Sequence, residues 1–221
     1  GQEVQFQEDI DSTPVGRIVL LENLRFHPGE VANDVQYAQR LARLADVYVS
    51  EAFANSHRNH ASMVALPQIL PHEAGFGLEM EMLILSKLLD SPPRPFVAVI
   101  GGAKLETKIP VINNLSGVAD KVLVGGALPA EISKKGYRFN SNVMVATLDS
   151  SGKYISEDSS TRFAAILRSA QTIAWNGPMG HFEQGSVRGS RAIAWAMVES
   201  GAYTVAGGGE TAKFMSTCVG E

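Results

Sequence analysis

Residues 96–108 read Phe-Val-Ala-Val-Ile-Gly-Gly-Ala-Lys-Leu-Glu-Thr-Lys. Five consecutive apolar residues without polar alternation are what a strand buried on both faces requires. The run stops at Gly101-Gly102 and passes into a helix-like stretch, the rhythm of a strand–helix unit. The same rhythm recurs on either side. Residues 18–21 run into Glu22-Asn23-Leu24-Arg25, and 47–49 into Ser50-Glu51-Ala52-Phe53. Residues 122–124 stop at Gly125-Gly126, 173–175 at Asn176-Gly177-Pro178, and 203–206 at Gly207-Gly208-Gly209. The sequence therefore predicts an α/β protein, its parallel sheet covered by helices.

The chain has 221 residues, 45% of them hydrophobic and 19% charged, enough apolar content for a packed core. A formal charge of −4 offers no basic field for a phosphate backbone, so nucleic acid is not an expected partner. The single cysteine, Cys218, excludes an intramolecular disulfide and a four-cysteine zinc site, and fits a reducing compartment such as the cytoplasm. No apolar run approaches the roughly 20 residues of a membrane helix. Residues 1–10 lack the basic and apolar regions of a signal peptide. Neither membrane nor secretion is expected.

Leu78, Met82, Leu85 and Leu89 recur at i, i+4, i+7 and i+11, which predicts one apolar helical face. Ser91-Pro92-Pro93-Arg94-Pro95 then ends the helix. A domain boundary is expected near it, with a part at 1–71, a connecting segment at 72–90 and a larger part at 91–221. A core helix followed by a loop in one domain fits the pattern equally. The polar stretches 149–153 and 156–161 are expected to be solvated loop. Trp175 and Trp195 are expected in the core, and His72 at the surface.

Glycine-bearing turns at four strand ends of the C-terminal part point to a ligand site, because ligands of open α/β sheets bind outside the carboxyl ends of the strands. One such turn would be ordinary punctuation. None matches a Walker loop or a dinucleotide fingerprint. Lys104 and Lys108, four apart at a helix start, suit a polyphosphate, although two surface lysines would read the same way. Glu210 and Thr211 after the glycine triplet suit Mg²⁺ beside a phosphate, or simply cap a helix. In the N-terminal part Arg25 with His27, and His57, Arg58 and His60, follow two strands and suit capture of carboxylate or phosphate. His57 and His60 lack neighbouring ligands that would make zinc the expected occupant.

Five blocks in order resemble phosphoglycerate kinase. They are Leu20-Leu21-Glu22-Asn23-Leu24-Arg25-Phe26-His27; Asp46-Val47-Tyr48-Val49 with 52–62; Gly101-Gly102-Ala103-Lys104 with Lys108; 175–180 with Phe182-Glu183; and Gly207-Gly208-Gly209-Glu210-Thr211. The resemblance implies two Rossmann-like parallel-sheet domains joined by a helix, the N-terminal one incomplete. It implies phosphoryl transfer between 1,3-bisphosphoglycerate and ADP, giving 3-phosphoglycerate and ATP, in a cytoplasmic monomer. By similarity Arg25 and Arg58 hold phosphoglycerate, and Lys104 and Lys108 meet the transferring and nucleotide phosphates. Gly102, Ala103, Gly125, Gly126, Asn176 and Pro178 shape the adenosine pocket, and Glu183 takes the ribose hydroxyls. Gly208, Gly209, Glu210 and Thr211 cradle the phosphates and Mg²⁺. Arg25, Lys104, Lys108, Gly208 and Gly209 are the implied catalytic set, and bending near 78–89 is implied for domain closure.

Departures accompany the resemblance. Position 210 is Glu where the family usually has Asp, and position 107 is Thr where many members have an acid. The family region that supplies further arginines, a histidine and an aspartate to the acid site has no counterpart in the sequence, and neither does the family's final segment. Shorter deletions are expected between Ile10 and Gly16 and at 140–145. A catalytically idle nucleotide-binding fragment is the alternative to an active kinase. An unrelated dehydrogenase-like module is disfavoured by the absent dinucleotide fingerprint.

Overall fold

A computed structural model describes residues 1–152, 154–180 and 188–218. It divides the chain into two compact units, Gly1–Leu85 and Ser86–Glu221. No helix among the described residues is long and apolar enough to cross a membrane.

The first unit contains strands β1 (Gln5–Gln7) and β2 (Val19–Leu21), then a short helix α1 (Pro28–Val31) and α2 (Val35–Ala42). Strands β3 (Tyr48–Ser50) and β4 (His72–Ala74) follow, and α3 (Phe76–Asp90) runs across the division between units. Both strand pairs, β1–β2 and β3–β4, are parallel, but they form separate two-stranded sheets rather than one. Asp34 starts α2 by accepting the Tyr37 N–H at 2.7 Å. The helix then buries Tyr37, Ala38 and Leu41 against Ala61, Ala65 and Leu66. Phe6 and Leu20, paired in register, remain 57% and 59% exposed.

The second unit is a five-stranded parallel sheet: β5 (Phe96–Ile100), β6 (Lys121–Val124), β7 (Val143–Val145), β8 (Thr172–Asn176) and β9 (Tyr203–Gly207). Spatial order is β7-β6-β5-β8-β9, so the first strand lies in the centre and the chain winds outward both ways. The helices are α4 (Leu105–Ser116), α5 (Leu128–Lys135), α6 (Glu157–Arg168), α7 (Arg188–Ser200) and α8 (Gly209–Cys218). All five residues of β5 are buried, and their alternation divides two cores. Phe96, Ala98 and Ile100 pack with Leu105, Ile112, Leu128 and Ile132 of α4 and α5. Val97 and Val99 join the core formed by Phe163, Leu167, Ile193, Met197 and Phe214 of α6, α7 and α8.

Three expectations are corrected. Residues 156–161 are not loop: Ser156 caps α6 by accepting the Ser159 N–H, and the polar run is the helix's first turn, with Glu157 and Asp158 placed favourably for the dipole. The apolar face predicted on α3 is displaced. Leu78 and Leu88 are buried, whereas Met82 and Leu89 are 52% and 62% exposed. A helix that also carries Met80, Leu83 and Ile84 offers periodicity more than one face to match. Trp175 is buried, but Trp195 is 50% exposed, on the side of α7 away from Ile193, Ala194 and Met197. His72 is exposed on β4. Lys153, Phe182 and Glu183 lie outside the described residues.

Candidate functional site

In the second unit the chain reverses direction of winding between β5 and β8, and the crevice beyond their carboxyl ends is where a ligand of such a sheet binds. The glycine turns there interlock. A Cβ on Gly101 would come 2.2 Å from the Pro178 carbonyl oxygen, and one on Gly126 2.8 Å from the Gly102 backbone. The Gly101 N–H donates to the Asn176 carbonyl at 2.9 Å and the Gly102 N–H to the Pro178 carbonyl at 3.1 Å. The Gly125 N–H donates to the Ile100 carbonyl at 2.9 Å, and the Gly177 N–H to Thr211 Oγ1 at 2.8 Å. These donors are already used within the protein, so the glycines serve close backbone packing. The first turns of α4 and α8 supply the N–H groups that lack intrahelical acceptors.

Two side chains meet at this crevice, with the Glu210 carboxylate close enough to act on them electrostatically. The half-buried Lys108 ammonium donates to Asn176 Oδ1. Burial lowers the Lys108 pKa from its ordinary 10.5, while the Glu210 carboxylate works in the opposite direction. On its other side the Asn176 amide nitrogen lies 3.3 Å from where a Cβ on Gly208 would stand, so Asn176 links α4 to the β9–α8 turn. Ala103 and Lys104 are exposed just before α4, and Lys104 makes no side-chain cap. Gly208, Gly209 and Glu210 are exposed, whereas Thr211 is wholly buried. No group of three His, Cys, Asp or Glu side chains suited to a metal occurs among the described residues. A lone exposed carboxylate such as Glu210 fits Mg²⁺ that keeps water and takes its remaining ligands from phosphates.

The first unit holds the second candidate site. Arg25, in a single helical turn after β2, donates from Nη2 to Asn55 Oδ1 at 2.8 Å; Arg58 donates from Nε to the same oxygen at 3.2 Å. The two arginines named from sequence are thus brought together. Beside them a cavity of about 340 Å³ is lined in part by Asn23, Glu30, His60, Ser62 and Met63. Glu30 is buried and accepts the Ser62 hydroxyl at 2.6 Å and its N–H at 3.0 Å, with His60 Nδ1 at 3.8 Å. The loop carrying Arg58 is thereby fixed to α1. Its other end is fixed by Glu51, whose carboxylate accepts the Gly77 and Leu78 N–H groups at the start of α3 at 3.2 and 3.0 Å. His27 is engaged elsewhere, its Nδ1 accepting the Gly29 N–H at 3.0 Å and its ring stacking on Tyr37 with centroids 4.2 Å apart.

Asn55, Glu30, Ser62 and Glu51 were not legible as site residues. Asn55 lies three residues before Arg58, but nothing in that spacing announces a shared acceptor for Arg25, which is 30 positions away.

The phosphoglycerate kinase family model matches residues 1–147 and 133–219. A phosphoglycerate kinase of Pelotomaculum thermopropionicum is 38% identical, the match covering 89% of this chain and 62% of that protein. One of Pelobacter propionicus is 34% identical, covering 96% and 65%. The chain therefore spans less than two thirds of the length of these curated relatives. The first alignment runs over 245 positions, more than this chain has residues, so the relative carries internal segments that this chain lacks. The solved structure of phosphoglycerate kinase from Coxiella burnetii superposes with a TM-score of 0.76 at 29% identity, covering 98% of this chain and 69% of that one. The structure from Pyrococcus horikoshii gives 0.82 at 26%, covering 97% and 70%. This chain belongs to the phosphoglycerate kinase family.

Proposed function

We propose that the chain carries the chemistry of a phosphoglycerate kinase, with phosphoglycerate bound by the first unit and MgADP or MgATP by the second. The observation that supports this best is the convergence of Lys108, Asn176 and Glu210 at the sheet's switch point, where a half-buried cation and an exposed carboxylate stand beside the first turn of α8. In the proposed reaction the P–O bond of the acyl phosphate breaks and a new one forms to the β-phosphate oxygen of ADP. Charge passes with the phosphoryl group, and no covalent enzyme intermediate is required.

Lys104 and Lys108 neutralise the transferring group, and the N–H groups around Gly208 and Gly209 hold the nucleotide phosphates. Glu210 is a ligand of the nucleotide-borne Mg²⁺. Thr211 acts from beneath, holding the 177–178 turn through its hydroxyl. Gly102, Ala103, Gly125, Gly126, Asn176 and Pro178 form the adenosine side, and Glu183, outside the described residues, is assigned to the ribose by similarity. Arg25 and Arg58 bind the phosphoglycerate. A cytoplasmic monomer without nucleic-acid or membrane partners goes with this assignment.

The test is a coupled assay of ATP formation from 1,3-bisphosphoglycerate, run beside calorimetric titration of MgADP. Turnover supports the kinase. MgADP binding without turnover supports the idle nucleotide-binding fragment, and absence of both overturns the assignment.

A further inference from the structure

We propose that Asn55 is a positioning residue that sets the two acid-site arginines side by side while leaving their charge free for the ligand, an inference that rests on the assignment of Arg25 and Arg58 to phosphoglycerate. Guanidinium groups only donate, so the amide between them presents its oxygen. Asn55 Oδ1 accepts Arg25 Nη2 at 2.8 Å and Arg58 Nε at 3.2 Å, and the two donor nitrogens can be no farther apart than those distances combined. The backbone of Asn55 is held as well. Its N–H donates to the Ala52 carbonyl at 2.8 Å, and its carbonyl accepts the Arg58 N–H at 2.9 Å. The loop is further tied at Glu51 and at Ser62.

The neutral acceptor separates this pair from the chain's ion-paired arginines. Arg40 is gripped by both oxygens of Asp11 at 2.9 and 2.6 Å, and Arg168 is paired with Glu199 at 2.7 Å. Among the described residues, no ion pair includes Arg25 or Arg58. A carboxylate at position 55 would hold them at least as firmly but would cancel much of the charge meant for an anion. An amide orders the donors and neutralises nothing. Because Arg58 is held through Nε, its terminal nitrogens remain available for bidentate capture of a carboxylate or phosphate.

The experiment is calorimetric titration of 3-phosphoglycerate into the whole chain and its Asn55→Asp and Asn55→Ala variants, with thermal unfolding of each. Asn55→Asp keeps the bridge and removes charge; it should unfold no earlier than the parent yet bind roughly tenfold or more weaker. Asn55→Ala keeps the charge and removes the bridge, and should bind about three- to tenfold weaker. A purely structural Asn55 predicts the same stability but unweakened binding for Asn55→Asp, since the added ion pairs would preserve both. Parent-like affinity in a folded Asn55→Asp protein would overturn the inference and leave the acid site standing. If that variant does not fold, parent-like affinity in Asn55→Ala overturns it as well. Absence of binding by the parent overturns the acid-site assignment and this inference with it.

Discussion

The Lys108 ammonium donates to Asn176 Oδ1, which fixes a cation of α4 over the end of β8, the strand beside central β5. Burial lowers the Lys108 pKa, and Glu210 only partly opposes this. A lowered lysine pKa means that the proton leaves below the ordinary 10.5, whereas bound phosphate favours the charged form. MgADP affinity should therefore be full at neutral pH and should decline as pH rises through the depressed value, with proton uptake on binding in that window. Lys108→Arg, charged throughout, should flatten the profile. Titrations at several pH values check this. A parent profile that stays level up to pH 10.5 would sink the role given to Lys108.

Lys104 differs from Lys108 in being exposed just before α4, where its ammonium can reach a moving group. Lys104→Ala should lower kcat far more than it weakens nucleotide binding, by about 3 to 4 kcal/mol in the barrier. Steady-state kinetics in the active protein decide the matter, and an unchanged kcat refutes the assignment.

Arg25 and Arg58 should show the opposite pattern. Replacing either by Ala removes a charged hydrogen-bonding contact worth about 1.5 to 3 kcal/mol, expressed as weaker phosphoglycerate binding. Calorimetric affinity for MgADP, assigned to the other unit, should not move. An equal loss for both ligands would place these arginines elsewhere.

Legibility in the sequence followed continuous apolar runs more than burial, since 203–206 reads as a strand although β9 is largely exposed. The run 96–100 declared itself because a central parallel strand is apolar on both faces, and so did 122–124 and 173–175. Strands β1 and β4 did not, since Gln5-Phe6-Gln7 and His72-Glu73-Ala74 are mostly polar, whereas the equally short β2 and β3 fall in the apolar runs 18–21 and 47–49; the apolar β7 is not distinguished by its three residues alone. The α6 start was lost for a related reason: Ser and Asp favour loops and helix caps alike, and only the later Phe163 and Leu167 face distinguishes them. At the site, Lys108 and Glu210 were legible from their place at helix starts. The glycines were legible only as markers, because the sequence cannot tell a turn that faces phosphate from one whose N–H groups bond to a neighbouring turn.

Gly126 makes that last distinction measurable. Its φ of +68° already disfavours a side chain, and a Cβ would meet Gly102 N, Gly102 O and Pro178 O at 2.8 to 2.9 Å, all of them backbone atoms. Gly126→Ala should cost at least about 2 to 3 kcal/mol, the two strains acting together. Unfolding of the second unit should shift down by several degrees, by roughly 2 to 4 °C per kcal/mol. An unshifted transition would show that the turns are not interlocked.

Glu30 allows the first unit to be tested without touching either arginine. Its carboxylate is 3% exposed and holds the Ser62 N–H and hydroxyl, while its carbonyl accepts the Ala61 N–H at 2.8 Å. Glu30→Ala removes two charge-assisted bonds of about 1.5 to 3 kcal/mol each, but also relieves the burial of a carboxylate, so the net cost should be about 2 kcal/mol. The loss should be local. Amide exchange at 58–64 should accelerate, and 3-phosphoglycerate affinity should fall because Arg58 is no longer ordered before the ligand arrives. MgADP affinity should hold. Faster exchange with unchanged phosphoglycerate affinity would mean that the loop's order is irrelevant to the acid site, and unchanged exchange would mean that Glu30 does not anchor the loop.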